Sequence, residues 1–372
     1  MDLSRRDRVT AALRQRHLAG LALMPDANLT YLTGLTFHHG KRLTLAIFPA
    51  DGAPPCFILP ALERTRVEAS SSIPMRYFPW FDGDGPTEAA HAALDAAFGP
   101  DLRGRPLGVE FTALRVMELR GLEAAMPGIQ VVDAGDLLAE LRMVKDASEL
   151  AIMQHAAQIV ELGLSRAIGQ IRVGMTERQF SRIVSEEIAA AGGEGESFEN
   201  MIASGPNGAN PHHSNGDRTF VPGDLIIIDC GARYRGYISD TTRTVALGEP
   251  SNEARAVYEL VRRANEAGRA AARPQTTGSQ IDAATRQVIA DGGYGAYFIH
   301  RTGHGIGIEV HEQPNIVVGS DAPLAPGTTF TIEPGIYIPG KLGVRIEDDM
   351  VITPDGARSL TRMDRALLVI PA

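Results

Sequence analysis

IIIDCGARYRGYISDTTRT, residues 226–244, places one aspartate at the end of an apolar run and a second beyond a turn signal. Asp229 closes LIIID and Asp240 sits in GYISDTTRTVAL. The midpoint of the pair falls at Tyr234–Arg235, just before Gly236. The stretch therefore predicts a hairpin with the two acids at opposed positions, where cross-strand side chains approach to about 5 Å. A second hairpin of the same design follows: Glu333 in TFTIEPGIYI and Glu347 in GVRIEDDMVI have their midpoint at Gly340, inside the turn signal Pro339–Gly340. All four acids lie in segments that read as buried strands. A carboxylate there is costly unless it is paired or bound to metal. Four brought together could not all ionise without cations, because like charges raise one another's pKa. His304, in HRTGHGIGIEVHEQP, adds a single nitrogen donor. Asp229, Asp240, His304, Glu333 and Glu347 are thus read as one site for two divalent cations, spaced roughly 3.5–4 Å apart as dinuclear sites are.

Working outward, the 372 residues are too many for a comfortable single core and predict two domains. With 44% apolar residues there is ample material to bury. A net charge of −9 without a basic stretch argues against nucleic acid. No run approaches the roughly 18 apolar residues of a membrane span. The opening MDLSRRDRVTAALRQRHLAG reads as an amphipathic helix without the apolar core of a signal peptide. Cys56 and Cys230 fall in different halves and make no disulfide framework. A cytoplasmic location is expected. Cys230 follows Asp229 directly, so on a strand it points away from the metal face as an inert thiol.

The first third alternates helical stretches with short apolar runs (GLALM, RLTLAIFPA, PCFILP, PLGVEF), which predicts an α/β domain with a mixed sheet. Trp80 lies in YFPWFDGDGP, whose Asp-Gly pairs read as a turn rather than a calcium loop. A helical pair then opens the second domain. Asp146 or Ser148 caps ASELAIMQHAAQIVELGLSRAI, and Thr176 with Gln179 forms a capping box for the next helix, with Phe180, Ile183, Val184 and Ile188 as its buried stripe. After the first acidic hairpin come two more helices, NEARAVYELVRRANEAGRAAA and SQIDAATRQVIADGG, and then the second acidic hairpin. This order of elements is a weak internal pseudo-symmetry.

IIIDCGARYRGYISDTTRT, HRTGHGIGIEVHEQP, TIEPGIYIPGKLG and VRIEDDMVIT, in this order, resemble the metallopeptidases of the pita-bread fold. That family includes Xaa-Pro dipeptidases (prolidases), Xaa-Pro aminopeptidases, methionine aminopeptidases and the metal-free creatinases. The resemblance covers nearly the whole chain and extends to NLTYLTGLTFHHGKRLTLAIFP, which is similar to the N-terminal domain of creatinase and prolidase. It implies an α+β fold: a smaller α/β creatinase-like domain over 1–142, then a pita-bread catalytic domain over 143–372. Methionine aminopeptidases lack the first domain and creatinases lack the ligands, so the resemblance points to the proline-directed branch. It implies an Xaa-Pro dipeptidase acting on small proline peptides as a homodimer. An Xaa-Pro aminopeptidase or a proline-directed carboxypeptidase is the alternative, and a non-catalytic binding module lies further off.

By the same resemblance Asp240 and Glu347 bridge the two metals, Asp229 binds one, and His304 with Glu333 binds the other. A water between them loses its proton near neutral pH, and Glu333 doubles as the proton shuttle. The oxygen-rich set suits Mn²⁺ best, with Co²⁺, Zn²⁺ or Fe²⁺ as alternatives. The family places histidines matching His212, His300 and His311 beside the substrate, as donors to the tetrahedral intermediate or to the substrate carboxylate. Arg345 shares the face of Glu347, two residues on, and is read as bracing a ligand, clamping a substrate carboxylate, or forming a structural ion pair. Gly303, Gly305 and Gly307 suggest close backbone approach to the metal site rather than a phosphate loop, since no helix pattern follows. His38, His39 and Arg42, in FHHGKR, are read as limiting substrate length or binding a substrate terminus, because this family often sends that loop towards a partner subunit's active site.

Overall fold

The computed structural model describes residues 4–37, 40–99 and 102–372. His38 and His39 lie outside the described residues. The chain divides into two compact units, Met1–Leu141 and Arg142–Ala372.

In the first unit the apolar runs become β1 (Gly20–Leu23), β2 (Leu45–Pro49), β3 (Cys56–Pro60), β4 (Arg76–Trp80), β5 (Leu107–Val109) and β6 (Val131–Asp133). They form one mixed sheet in the order β4-β3-β2-β1-β5-β6, with β2 antiparallel to both neighbours and the other pairs parallel. The inner strands β1, β2, β3 and β5 are buried along their whole length because both faces are covered, with Leu21, Leu23, Ile47, Phe57 and Ile58 fully buried, whereas the edge strands β4 and β6 are only partly so. Trp80 is buried with its indole N–H donating to the Leu43 carbonyl at 3.0 Å. Arg42 forks onto the Asp82 carboxylate at 2.8 and 2.6 Å.

The second unit repeats one construction twice. Helix Ala147–Ile168 is capped by Asp146, one of the two candidates, in a box with Glu149, and Glu177–Ala190 begins with the expected box of Thr176 and Gln179. Their apolar faces (Val160, Leu164, Phe180, Val184) pack on Ile226, Ile228 and Val245 of a four-stranded sheet. That sheet contains β7 (Met201–Ser204), β8 (Leu225–Cys230) and, beyond the short ribbon β9 (Arg233–Tyr234) and β10 (Tyr237–Ile238), β11 (Thr241–Leu247). Helices Asn252–Ala271 and Gly278–Asp291 follow, the second with its own box of Thr277 and Gln280. Ile281 packs on Phe330, Ile332, Met350 and Ile352 of a five-stranded sheet. Each such side chain contributes roughly 1.5–3 kcal/mol when fully buried. The five strands are β12 (Gly303–Gly305), β13 (Glu312–Ile316), β14 (Thr329–Ile332) and, past the ribbon β15 (Gly335–Ile338) and β16 (Leu342–Arg345), β17 (Asp348–Thr353) and β18 (Gly356–Ser359). β19 (Val369–Ile370) returns to pair with β11. Sheet orders are β19-β11-β8-β7 and β13-β12-β14-β17-β18. Among the described residues no helix is long and apolar enough to cross a membrane.

The glycine triplet has a different cause from the one expected. A Cβ on Gly303 would sit 1.9 Å from the Thr331 carbonyl oxygen, and one on Gly305 would sit 2.2 Å from that of Gln313. The bare backbones of β12 are required by its two neighbouring strands, not by approach to the acids. Close strand packing in turn places His304 on the sheet face.

Candidate metal centre

The two acidic hairpins differ in register. In the first, Thr242 rather than Asp240 faces Asp229. Arg235 and Gly236 both have positive φ (48° and 79°), so they form the two-residue turn between Tyr234 and Tyr237. That turn lies one residue later than the midpoint of the aspartates, so Asp240 is diagonal to Asp229 on the same face. In the second hairpin one register runs through β14–β17 and β15–β16, with Ile332 facing Asp348 and Gly335 facing Arg345. Continued across the gap, it sets Glu333 level with Glu347, as the spacing predicts.

Not every acid is within a strand, contrary to the sequence reading. Asp229 is in β8 and His304 in β12, but Asp240, Glu333 and Glu347 occupy breaks between strands. Their amides leave the regular ladder: Glu333 N–H donates to Thr302 O (2.8 Å), Glu347 N–H to Thr242 O (3.0 Å) and Asp240 N–H to Asp349 Oδ2 (3.1 Å). The breaks let the backbone turn so that the acids of both hairpins converge.

They converge on one cavity of about 560 Å³, lined by all five residues of the predicted set. Asp240, His304 and Glu347 are buried, with one prospective ligand atom of each within 4.8 Å of the others. His304 Nε2 lies 3.7 Å from Asp240 Oδ2 and 3.4 Å from Glu333 Oε1. Its Nδ1 is turned to the Gly305 carbonyl at 3.1 Å, which fixes the tautomer with Nε2 unprotonated. Burial, with His311 beside it, pulls the imidazole down to about 3, so it is neutral. Burial and then Glu347 push Asp240 well above the carboxylate range, burial and then Glu333 do the same to Glu347, and Glu333 rises to about 7. Asp229 Oδ1, Asp240 Oδ1 and Glu347 Oε1 are buried without a hydrogen-bond partner. Buried oxygens that accept from nothing, facing a neutral nitrogen, are what divalent cations require.

Around this centre the structure sorts the remaining predicted residues. Arg345 is buried and fully engaged: Nη2 meets Asp229 Oδ2 at 2.5 Å, Nε meets Thr242 Oγ1 at 3.1 Å, and Nη1 meets Tyr337 Oη at 3.0 Å and Pro211 O at 3.4 Å. These contacts match both bracing of Asp229 and a structural ion pair, two of the three roles read for it. His300 lines the cavity, yet its Nδ1 contacts Arg301 O (2.7 Å) and its Nε2 contacts Tyr337 Oη (2.8 Å). Burial pulls it down to about 4, so its Nε2 accepts from the tyrosine rather than donating to a substrate. His212 and His311 line the cavity, and His311 stands edge-on to His304 with ring centroids 4.4 Å apart.

Sequence reading missed Tyr337, Arg301 and the anchor of the His212 loop. That anchor is Glu177, a buried acid at the start of a helix. It accepts from Ser204 N–H (2.9 Å) and Oγ (2.7 Å), Asn207 Nδ2 (3.0 Å), His213 Nε2 (2.7 Å) and Gly216 N–H (3.1 Å). His213, left aside as ambiguous, ties the loop down while His212 faces the cavity. An acid in the first turn of a helix reads as a dipole partner, so no local signal pointed to this role.

With this geometry in hand, comparison with known proteins is decisive. The model of Metallopeptidase family M24 matches residues 151–354, and that of the Creatinase/Prolidase N-terminal domain matches residues 5–144. This chain belongs to metallopeptidase family M24. It is a hydrolase with a creatinase-type α/β domain followed by a pita-bread catalytic domain. A probable dipeptidase PepE of Mycobacterium tuberculosis is 39% identical over 365 residues, 97% of this chain and 94% of its own length. An Xaa-Pro dipeptidase of Lactobacillus delbrueckii subsp. lactis is 35% identical over 350 residues, 92% of each chain. The crystal structure of a prolidase from Thermococcus sibiricus superposes with a TM-score of 0.92 at 35% identity, covering 100% of both chains. Membership of M24 implies divalent metal ions, and the buried Asp/His/Glu cluster is the candidate place for them.

Proposed function

We propose that this M24 enzyme is an Xaa-Pro dipeptidase that holds two divalent cations on Asp229, Asp240, His304, Glu333 and Glu347. The observation that carries the reading is the set of buried, unpartnered oxygens of Asp229, Asp240 and Glu347 in one cavity with a neutral imidazole. Such cations, when bound, polarise a carbonyl and make water acidic enough to supply a nucleophile near neutral pH. Glu333, 3.4 Å from His304, accepts the proton of the attacking water and returns it to the departing proline nitrogen. Arg345 holds Asp229 in place through the guanidinium–carboxylate contact. His212 and His311 border the substrate from the cavity wall, and Phe198, Pro211 and Val310 offer apolar surface to a proline ring. Likeness to a dipeptidase PepE and to an Xaa-Pro dipeptidase supports the choice of a dipeptide. Mn²⁺ is the proposed metal, from the excess of carboxylate oxygen. A homodimer in the cytoplasm is the proposed setting, the second from two buried free thiols.

The test is Mn²⁺-dependent hydrolysis of Ala-Pro beside Ala-Pro-Ala and Ala-Ala-Pro, with metal content measured on the same sample. Cleavage confined to the dipeptide with two metals per chain is expected. Release of the first alanine from Ala-Pro-Ala replaces the reading with an aminopeptidase, and release of proline from Ala-Ala-Pro replaces it with a carboxypeptidase. Metal bound without turnover of any of them rejects the peptidase.

A further inference from the structure

The cavity contains two guanidinium groups, and their surroundings differ. Every nitrogen of Arg345 is engaged by the protein, including the Asp229 carboxylate. Arg301 also lines the cavity, half-buried, but its one hydrogen bond runs from Nη1 to the neutral amide oxygen of Asn315, at 2.6 Å. Among the described residues it makes no ion pair, although a guanidinium carries five donors in a fork that matches a carboxylate. Its place is fixed: Asn315 faces His304 across the β12–β13 ladder, so the tether holds the guanidinium end of Arg301 beside the strand position level with His304.

The charges of the wall point the same way. Its acids are Asp229, Asp240, Glu333 and Glu347, all in the candidate metal centre. Two divalent cations would match those four charges. Among the described residues no other carboxylate lines the cavity to receive the ammonium of a peptide's amino terminus, whereas Arg301 is a cation that no carboxylate pairs at close range.

We infer that Arg301 is a specificity-determining residue that receives the free α-carboxylate of the residue leaving the scissile bond. The inference rests on the exopeptidase reading above and sharpens it. A carboxylate anchor next to the reacting centre admits a proline that ends the chain and disfavours one that continues it. Asn315 is then a positioning residue, acting through Arg301. Arg301 is itself half-buried, which strengthens a guanidinium–carboxylate contact relative to the open surface.

Binding and turnover test this separately. L-Proline and L-prolinamide are titrated calorimetrically into the metal-loaded wild type and into Arg301→Met and Arg301→Lys. The same three proteins are assayed on Ala-Pro and on Ala-Pro amide. The wild type is expected to prefer proline to its amide by on the order of 10²-fold, the range of a partly buried charge pair. Arg301→Met loses that preference by weakening proline alone, and Arg301→Lys keeps part of it. A wild type without preference overturns the inference, as does an Arg301→Met that retains it. Should Arg301→Met fail to fold, the wild-type preference and the Arg301→Lys series decide. Arg301-dependent proline binding without hydrolysis of Ala-Pro removes the dipeptidase reading and leaves this inference standing. Equal kcat/KM for Ala-Pro in wild type and Arg301→Met removes this inference alone.

Discussion

Glu347 and Asp348 are neighbours in the chain, both carboxylates almost wholly withdrawn from solvent (2% and 0% exposed), and their surroundings are opposite. Glu347 faces the cavity with Thr242 as its donor, one oxygen unpartnered and its pKa raised. Asp348 faces the other way, into the protein. Arg243 reaches it at 2.8 Å, Arg365 at 2.6 and 2.9 Å, and Asn265 at 3.0 Å. Burial alone would raise Asp348, but the two arginines outweigh it and hold its pKa below the usual carboxylate range. Burial therefore does not separate these two neighbouring acids; the number of partners each one has does. The Asp348 cluster gives rigidity to the strand start that carries Glu347. Glu312 plays a similar part for the stretch carrying His311, accepting from Arg142, from Lys145 at 3.2 Å, and from the amides of Ile308 and Glu309 at 2.8 and 3.0 Å.

The sharpest way to break this contrast is to neutralise each neighbour in turn. Glu347→Gln should lower kcat/KM for Ala-Pro on the order of 10³-fold, as loss of a directly acting electrostatic group does. In chelator its melting temperature should match or exceed that of the wild type, since a crowded charge has gone. Asp348→Asn should do the reverse, costing about 3–5 kcal/mol by stranding the buried Arg243 and the partly buried Arg365. For a unit of this size that is a fall in Tm of roughly 10 °C, read by thermal melting. Equal destabilisation by the two substitutions would erase the distinction.

Chelation probes the same deficit from the ligand side. Wild-type Tm should rise when Mn²⁺ is restored, by the equivalent of about 4 kcal/mol at a thousandfold excess over the dissociation constant. Glu347→Gln should show little of that rise. A metal-independent wild-type Tm would contradict the proposed centre.

Acid titration examines the paired side. Glu312 is held down to about 2, because Lys145 and Arg142 outweigh the burial that would raise it. A folded pKa below the unfolded value of about 4.3 means its stabilisation is complete above that value and fades as pH falls towards 2. Denaturant melts between pH 5 and pH 3 should record a loss of roughly 1.5 kcal/mol from this group, absent in Glu312→Gln. The smallest effect expected is that of Arg42→Ala: its exposed fork onto Asp82 predicts an unchanged Tm. A changed KM would tie the FHHGKR segment to substrate, and an unchanged one would detach it.

Much of this was legible in order. Asp146 and Thr176 cap helices where their local chemistry puts them, since a cap involves residues three positions apart. The second hairpin kept its predicted register because its turn lies at the midpoint of its acids. The first did not, because the positive φ angles of Arg235 and Gly236 place the turn one residue later. His212 and His213 are indistinguishable in sequence, and only the distant Glu177, 36 residues from His213, separates their roles.

By itself the sequence determined the two-domain α+β plan and the presence of four acids and an imidazole in strand-like segments. The division in two follows from chain length, the individual elements from periodicity, spacing and local capping, and the α+β plan from the resemblance. Tertiary structure decided which of those groups were left without partners. Whether Asp348 is satisfied depends on Arg243, more than a hundred residues away, and where Arg301 is held depends on Asn315 in the strand that follows. Hydrogen bonding and charge pairing are settled by contacts between distant segments, so a site defined by unmet valence becomes visible only once the chain has folded around it.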